Sequence, residues 1–334
     1  MTRRSTGKAR MARSLWYVGK GKAELRIASL PRPKSGEALV RTLFSGISRG
    51  TERLVLSGAV GPSEWERMRA PNQEGAFPFP VKYGYCATGI VEEGPAPFIG
   101  RPVFCLHPHQ DFFVAPVEAL TLVPDGIPPR RATLAANMET ALNALWDAGA
   151  GPGDRIVVVG AGVVGLLVSG LAARLPGADV TTVDVDKTRD AFARSLGARF
   201  ALPAQAPSDA DVVLHASASA AGLATAIGCA GFEGTIVELS WYGDKPVQVD
   251  LGGAFHSRRL KLISSQVGHV AASRRPRWSY RRRMETAVAL LATIPALDGL
   301  VAEDIAFEAA PREVPRILAP GGHGLAPVIR YPHD

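Results

Sequence analysis

Two kinds of hydrophobic pattern divide the chain. Up to about residue 135, short apolar runs such as "EALVRTLFSGIS" and "KYGYCATGIVEEG" are separated by glycine and proline. This pattern is typical of short strands joined by turns. From about Leu134, segments with apolar residues at helical spacing, such as "LAANMETALNALWDAG", alternate with continuous apolar runs such as "DRIVVVG". That alternation predicts helices and buried parallel strands.

The predicted fold class follows from these two patterns. The 334 residues are enough for two domains of ordinary size. The first part predicts an irregular β domain, and the second predicts an α/β domain with a doubly wound parallel sheet. The last segment, Glu303 to Tyr331, ends in a predicted strand, "APVIRY".

Composition and cysteine content limit the class of protein. With 46% apolar and 21% charged residues, the chain is typical of soluble globular proteins, and we expect disorder only in residues 1–13. No apolar run reaches the roughly eighteen residues of a membrane span, and the start has no secretion signal. Three widely spaced cysteines (Cys86, Cys105 and Cys229) argue against a disulfide framework. We therefore predict a cytoplasmic protein with reduced thiols.

The net charge of +7 is concentrated in two segments. Residues 1–13 hold five basic and no acidic residues, and residues 251–284 hold nine basic and no acidic residues. The remainder of the chain is therefore acidic overall. No nucleic-acid-binding motif accompanies the basic residues. The charge does not predict a DNA or RNA partner.

A glycine motif follows the predicted strand "DRIVVVG". Gly160, Gly162 and Gly165 have the Gly-x-Gly-x-x-Gly order, with Val163 and Val164 between the last two. Such glycines allow a tight turn, close approach of a pyrophosphate, and close packing of the next helix on the strand. The helix amino terminus then binds the phosphates. The motif predicts a dinucleotide site, the alternative being a glycine-rich turn that binds no nucleotide.

An acidic residue closes the next predicted strand. Asp184, in "VTTVDVD", lies nineteen residues beyond Gly165. A carboxylate there can accept hydrogen bonds from the adenosine ribose and would repel a 2′-phosphate, which favours NAD over NADP. Lys187 and Arg189 are near in sequence and could partly neutralise that repulsion.

The order of these segments resembles the medium-chain dehydrogenase/reductase superfamily, the alcohol dehydrogenase-like proteins. From about Leu15 the chain has an irregular β region, a helix with "ETALNAL", a nucleotide-binding half, and a return helix and strand. Within the superfamily, "SGISRGTERLVLSG" and "KYGYCATGIVEEG" are most similar to the branch that contains bacteriochlorophyllide hydroxyethyl dehydrogenase.

The resemblance implies a domain organisation and a site. Residues 1–136 and the return segment 271–334 would form a GroES-like catalytic domain, with a Rossmann NAD-binding domain at 137–270 and the active site in the cleft between them. A homodimer or homotetramer is implied as well. Thr140 falls where such enzymes place a threonine against the nicotinamide. Further cofactor-binding residues are expected where the sheet strands end: His215, Ser217, Ser240 and Gln266.

The metal ligands of zinc-dependent members are missing. Their places hold Ser48, Tyr85 and Ala136, and the cysteines of the structural zinc lobe are absent. Neutral hydroxyls bind zinc weakly and alanine cannot bind it. The resemblance thus implies a catalytic cleft without a metal. The alternative is a rearranged site built from nearby ligand types: Glu52, Cys86, His107 and His109.

Without a metal, side chains must polarise the substrate oxygen. Tyr85 is the first candidate, because a phenol donates a hydrogen bond and becomes more acidic near a cation, such as Lys82 or Arg49. Alternatively, its ring could pack under the cleft with its hydroxyl bonded to backbone. Ser48 could hold the oxygen together with Tyr85, or only satisfy its turn.

Three further residues could assist. His109, in "HPHQD", could act as a base or proton relay, or could lie in a surface loop. Glu52 and Glu139 could orient the catalytic groups. Glu139 could instead be an exposed carboxylate favoured by the dipole in the first turns of its helix.

The basic segment between Arg258 and Arg283 includes Trp278 and Tyr280. It could attract and stack on a bulky or anionic substrate, or it could be a solvated helix face or a subunit contact.

Together these observations predict a metal-independent, NAD-linked oxidoreductase acting on a secondary alcohol or its ketone. One alternative is an NADPH-linked quinone or enoyl reductase. The other is a dinucleotide-binding sensor or structural protein without turnover, since a fold does not fix a function.

Overall fold

The computed structural model describes residues 10–321 and 324–332. The chain divides into two compact units, one of residues 1–133 and 301–334, and the other of residues 134–300.

Short, mainly antiparallel strands form the first unit. They are β1 (Arg10–Gly19), β2 (Lys22–Leu30), β3 (Glu37–Gly46), β4 (Glu74–Gly75), β5 (Val81–Lys82), β6 (Ala87–Glu93), β7 (Pro102–Cys105), β8 (Phe112–Pro116), β9 (Leu120–Leu122), β16 (Asp304–Ala306) and β17 (Val328–Arg330). One sheet has the order β2-β1-β5-β4. The other has the order β16-β17-β3-β6-β7-β9, and β8 pairs with β3. Strands from both ends of the chain therefore share one sheet.

Alternation along the strands builds the core of this unit, since every second side chain points to the same face. The unit also contains α1 (Arg49–Ser57), α2 (Pro129–Ala132) and α9 (Ala310–Leu318). One buried apolar cluster comprises Ala38, Val40, Ala87, Val91, Val103, Cys105, Phe113, Ala115 and Leu120. Helix α1 follows Ser48 and ends at Gly58, whose φ of 70° is left-handed. The N–H of Gly58 donates to the carbonyl of Val55 at 3.0 Å, which closes the helix that carries Glu52.

The second unit is the predicted doubly wound sheet. Its strands are β10 (Arg155–Val159), β11 (Asp179–Val183), β12 (Arg199–Ala201), β13 (Ala210–His215), β14 (Ala230–Glu238) and β15 (Lys261–Ser264). Its helices are α3 (Ala135–Ala148), α4 (Val163–Ala172), α5 (Asp190–Ser195), α6 (Ala220–Cys229), α7 (Ala254–Ser257) and α8 (Tyr280–Ala292). All neighbouring strands are parallel, in the order β12-β11-β10-β13-β14-β15. The order reverses beside β10, where ligands bind in such sheets.

The division between units corrects one predicted boundary. Residues 271–300 were expected to return to the first unit, but they belong to the second. The reason is a contact distant in sequence: Arg283 of α8 is buried and forms an ion pair with Glu139 of α3. The return to the first unit begins only at Val301.

The structure also bears on the predictions for the start of the chain, the cysteines and membrane spans. The predicted disorder of residues 1–13 was wrong for residues 10–13, which begin β1, and otherwise falls on residues 1–9, outside the described residues. The three cysteines are buried and free, as predicted. Within 10–321 and 324–332, no single helix is long and apolar enough to cross a membrane. One sharply bent pair, Tyr280–Ala292 with Pro295–Val301, passes that test only when the two are taken together.

Candidate functional site

The glycine motif forms a tight turn between β10 and α4. Gly160 has a φ of 109°, a conformation that side chains with a Cβ rarely adopt. A Cβ on Gly165 would lie 1.8 Å from the carbonyl oxygen of Gly160, so only glycine lets α4 pack this close to the turn. Gly162 is the residue before α4, and Val163 and Val164 are its first two residues. Their place in the first helical turn gives N–H groups that suit a pyrophosphate.

Asp184 lies directly beside this turn. Its Oδ2 accepts a hydrogen bond from the backbone N–H of Ala161 at 2.5 Å, and its Oδ1 accepts one from Asp186 N–H at 2.8 Å. These bonds orient the carboxylate and leave lone pairs for ribose hydroxyls. Arg189 forms its ion pair with Asp186, at 3.2 Å, and Lys187 is exposed. The glycine turn and Asp184 therefore fit a dinucleotide.

The ends of β13 and β14 carry a hydrogen-bonded cluster. His215 Nδ1 lies 2.7 Å from Glu238 Oε2, and His215 Nε2 lies 2.6 Å from Ser217 Oγ. Ser240 Oγ accepts a bond from Ala218 N–H at 3.0 Å. His215, Ser217 and Ser240 were predicted from the strand ends, and the structure brings them together. Glu238 was not predicted as a site residue, although it is the last residue of β14 and so lies at the sheet edge where such sites are expected.

Glu238 has a lowered pKa in this cluster. Burial opposes its negative charge, but hydrogen bonds and attraction from His215, with further bonds from Ser240, lower its pKa below the usual value. A carboxylate can only accept hydrogen bonds, so Nδ1 of His215 is the donor. In the neutral ring, Nε2 is then the acceptor for the Ser217 hydroxyl.

Among the residues that the structure describes, the side chains of Thr140 and Gln266 bond only to backbone close to them in sequence. The Thr140 hydroxyl donates to the carbonyl of Ala136 at 3.0 Å, along its own helix. The exposed Gln266 accepts a bond from Gly268 N–H at 2.6 Å. Their cofactor roles stay predictions.

In the first unit, the hydroxyls of Ser48 and Tyr85 are joined. Tyr85 is half-buried, and its Oη donates to Ser48 Oγ at 2.5 Å. Burial, and then the nearby Cys86, raise the pKa of Tyr85 well above that of an ordinary phenol. Because the Tyr85 hydroxyl bonds to the side chain of Ser48, the alternative in which it bonds to backbone was wrong.

The expected acidification of Tyr85 by a cation was wrong. Lys82 is buried, and its ammonium group donates to Glu74 and, at 2.7 Å, to Gln110. Arg49 donates to the carbonyl of Gly324. Because burial dominates, Tyr85 is a neutral hydrogen-bond donor rather than an acid of lowered pKa.

Glu52 lies at the centre of a buried network below Ser48. Its Oε1 accepts a bond from Ser48 N–H at 2.7 Å. Its Oε2 accepts one from Tyr17 at 2.5 Å and lies 3.0 Å from His109 Nε2. His109 Nδ1 is 2.7 Å from Ser45 Oγ. His109 is fully buried, so its placement in a surface loop was a wrong alternative.

The residues around this network do not fit a zinc ion. Zinc binds thiolate, imidazole or carboxylate groups that converge, and among the described residues no three His, Cys, Asp or Glu side chains are so placed. Burial, and then Glu52, raise the pKa of Cys86 well above the usual value, which keeps its thiol neutral. His107 stacks on Phe113 with ring centroids 4.0 Å apart, and its Nδ1 lies 3.0 Å from the carbonyl oxygen of Pro108.

Glu139 has a structural role that neither sequence hypothesis anticipated. It is buried and accepts a bond from Arg283 at 2.9 Å. Arg283 also donates to Asn143 at 2.7 Å and to the carbonyls of Val267 and His269. Burial outweighs the attraction of Arg283 and raises the pKa of Glu139.

Trp278 of the basic segment is likewise engaged within the second unit. The Trp278 ring lies 4.5 Å from that of Trp146, and the Arg282 guanidinium lies 3.9 Å above Trp278. Arg258 donates to the carbonyls of Gly228 and Ala230. The substrate-binding role of this segment stays a prediction.

Comparison with curated proteins gave partial matches. An uncharacterised zinc-type alcohol dehydrogenase-like protein of Haemophilus influenzae is 31% identical over 40% of this chain and 42% of its own length. D-guloside 3-dehydrogenase of Escherichia coli is 28% identical over 52% of this chain and 53% of its own. The matches thus span about half the length of these relatives or less. No protein-family model matches the chain.

Solved structures match over nearly the whole chain. A candidate zinc-binding dehydrogenase from Sinorhizobium meliloti, bound to NADP, has a TM-score of 0.76 and 19% identity over 96% of this chain and 99% of its own. An alcohol dehydrogenase from Escherichia coli, complexed with NADH, has a TM-score of 0.76 and 14% identity over 97% of this chain and 100% of its own. The alcohol dehydrogenase-like fold is confirmed. The closer likeness to the bacteriochlorophyllide branch stays a prediction.

Proposed function

We propose that this chain is an oxidoreductase that uses a nicotinamide dinucleotide, NAD in preference to NADP, and moves a hydride to or from a secondary alcohol or its ketone without a metal. The hydrogen bond between Tyr85 and Ser48 carries the proposal. The resemblance to zinc-dependent dehydrogenases puts these residues at two places where such enzymes hold metal ligands. Their side chains form a joined pair of hydroxyl groups.

The dinucleotide would be held by the second unit. The turn from Gly160 to Gly165 and the first residues of α4 suit its pyrophosphate, and Asp184 suits its adenosine ribose. When bound, the nicotinamide supplies or accepts the hydride. The relatives support an alcohol or polyol substrate class, since one is named for oxidation of a guloside at position 3.

The hydroxyl pair determines which hydrogen can reach a substrate oxygen. Tyr85 donates its own hydrogen to Ser48 Oγ, so the hydrogen of Ser48 is the one left to point elsewhere. A hydroxyl that accepts one hydrogen bond becomes a better donor of another. Ser48 would therefore bind the oxygen directly and stabilise the negative charge that develops on it, while Tyr85 strengthens this bond.

Glu52 keeps this pair in place. Its bond to Ser48 N–H fixes the residue that precedes α1, and Tyr17 and His109 fix the Glu52 carboxylate in turn. Glu52 and His109 therefore act as positioning residues, because Glu52 bonds to Ser48 N–H and the two ring nitrogens of His109 face Glu52 and Ser45.

The proposal is tested with protein purified without a His-tag and depleted of metal by a chelator. NAD and a panel of secondary alcohols are added, and NADH absorbance is followed while zinc is measured. We expect turnover in metal-free protein. Activity that is lost with the metal and restored by stoichiometric zinc would contradict the metal-free mechanism. Tight cofactor binding without turnover on any substrate would favour the non-catalytic alternative.

Asp184→Ala should weaken NAD binding about tenfold or more, because a hydrogen bond to a charged group is lost. The variant should also bind NADP better relative to NAD, since the carboxylate no longer repels the 2′-phosphate. Calorimetric titration with both cofactors measures this. Asp179→Ala is the matched control. Asp179 begins β11, the strand that ends just before Asp184, and its carboxylate pairs with Arg199. A wild-type protein that binds NADP more tightly than NAD would refute the cofactor assignment.

A further inference from the structure

Three side chains at the ends of β13 and β14 have the geometry of an acyl-transfer catalyst. The nucleophile candidate, Ser217 Oγ, lies 2.6 Å from His215 Nε2, and the other ring nitrogen lies 2.7 Å from Glu238 Oε2. Nucleophile, base and orienting acid within hydrogen-bond distance are the features by which such a triad is recognised on unrelated folds. We propose that Ser217, His215 and Glu238 form a serine nucleophile that takes acyl groups from small activated esters.

The acid of this triad is rigidly held. Glu238 accepts one bond from Ser240 N–H at 2.8 Å and another from the Tyr242 hydroxyl at 3.1 Å, in addition to its contact with His215. The His215 ring is fully buried, so it cannot turn away into solvent. The ring is thereby kept with Nδ1 protonated and Nε2 facing Ser217, the tautomer that a general base needs.

The nucleophile lies at the amino terminus of a helix of ten residues, α6. A Cβ added to Gly222 would lie 2.0 Å from Ser217 Oγ and 2.8 Å from His215 Nε2, which places both atoms against the first turn. Ser219 Oγ accepts the N–H of Gly222 at 3.0 Å. A first turn has more amide donors than one capping serine can satisfy, and such donors stabilise an oxyanion. Ser217 itself is half-buried rather than enclosed.

The chemistry balances with an ester and water alone. Ser217 Oγ bonds to the ester carbonyl carbon while its proton passes to His215 Nε2. The carbon–oxygen bond to the leaving alcohol then breaks, and the alcohol oxygen takes that proton. In the second half, water gives a proton to His215 Nε2 while its oxygen bonds to the acyl carbon. The bond from that carbon to Ser217 Oγ then breaks, Oγ takes the proton back from His215, and the carboxylic acid leaves.

The test uses the full-length protein without dinucleotide. A fluorophosphonate probe should label one peptide, that containing Ser217, and p-nitrophenyl acetate should be hydrolysed. Ser217→Ala should abolish labelling, and Ser217→Ala and His215→Gln should each lower hydrolysis about a hundredfold. Gly222→Ala should also lower labelling and hydrolysis, although it leaves all three triad residues in the chain, because its Cβ displaces the Ser217 hydroxyl.

Thr225→Ala is the matched control on the same helix, since the Thr225 hydroxyl bonds only along α6, to Ala221. It should keep full labelling and hydrolysis. Folding of each variant is checked by circular dichroism. An unlabelled native protein, or labelling that persists in folded Ser217→Ala, would overturn the proposal. Because no cofactor is present, either result is independent of the oxidoreductase assay.

Discussion

Tyr85→Phe should lower kcat for alcohol oxidation about tenfold, because it removes the hydrogen bond through which Tyr85 strengthens the donation from Ser48 to the developing oxyanion. The substitution removes the hydroxyl that lies 2.5 Å from Ser48 Oγ but keeps the ring, which packs edge-on against Tyr83 with centroids 6.1 Å apart. NAD affinity should not change, because Tyr85 lies outside the unit that carries the glycine turn. Stopped-flow or steady-state NADH assays measure the rate, and calorimetry measures the affinity.

The matched control for this variant is Tyr83→Phe. It makes the same chemical change in the aromatic neighbour and should retain near-normal kcat. Ser48→Ala should lose at least as much activity as Tyr85→Phe, because Ser48 is proposed to contact the substrate oxygen directly. Burial raises the pKa of Tyr85, so the phenol stays protonated at neutral pH and the loss should not vary there. Equal losses in Tyr83→Phe and Tyr85→Phe would refute the role of the pair.

Arg283→Met should destabilise the second unit by about 3–5 kcal/mol, the usual cost of leaving one partner of a buried ion pair uncompensated. Arg283 is 2% exposed, and its loss leaves the Glu139 carboxylate and two backbone carbonyls without their donor. Urea unfolding followed by tryptophan fluorescence measures the change. Because burial already raises the pKa of Glu139, the unpaired carboxyl should take up a proton as pH falls. The destabilisation should therefore be smaller in acid than at neutral pH.

Arg281→Met serves as the control for Arg283→Met. Arg281 is two residues away on α8 and forms an exposed pair with Glu285 at 2.8 Å. Its removal should change stability by no more than about 1 kcal/mol. The double variant Arg283→Met with Glu139→Gln should recover part of the loss, because it removes the unpaired charge. If Arg281→Met and Arg283→Met proved equally mild, the buried pair would not hold α8 on α3.

The parts of the site that sequence could predict are local in the chain. One strand-turn-helix-strand segment contains the glycine motif, the strand before it and Asp184. At Gly160 and Gly165, close backbone packing or a positive φ admits only glycine, so the residue type itself reveals the turn. Gly165 shows why, since any Cβ there would meet the carbonyl of Gly160 at 1.8 Å. His215, Ser217 and Ser240 could be identified because parallel strands end at the same sheet edge.

The errors concern burial, which depends on residues far apart in sequence. Arg283 stands among exposed arginines of the same helix, and nothing in the local pattern separates it from them; Glu139, its partner, is 144 residues away. A surface loop was considered for His109 because its partners Glu52 and Ser45 precede it by 57 and 64 residues, so the local sequence does not show its burial. The pKa of Tyr85 was predicted in the wrong direction because sequence shows neighbouring cations but not desolvation.

The position of β17 bears on how the protein is made. Val328 of this strand pairs with Gly46 of β3, and Ile47 N–H donates to the carbonyl of Pro327 at 2.9 Å. During synthesis, β3 leaves the ribosome long before β17 is translated, and its residues 44–46 wait with an open strand edge, a state prone to aggregation. The contiguous residues 134–300 can finish folding in that interval. Chaperone contacts on nascent chains should accordingly concentrate on the β3 region and disappear only once β17 has been made.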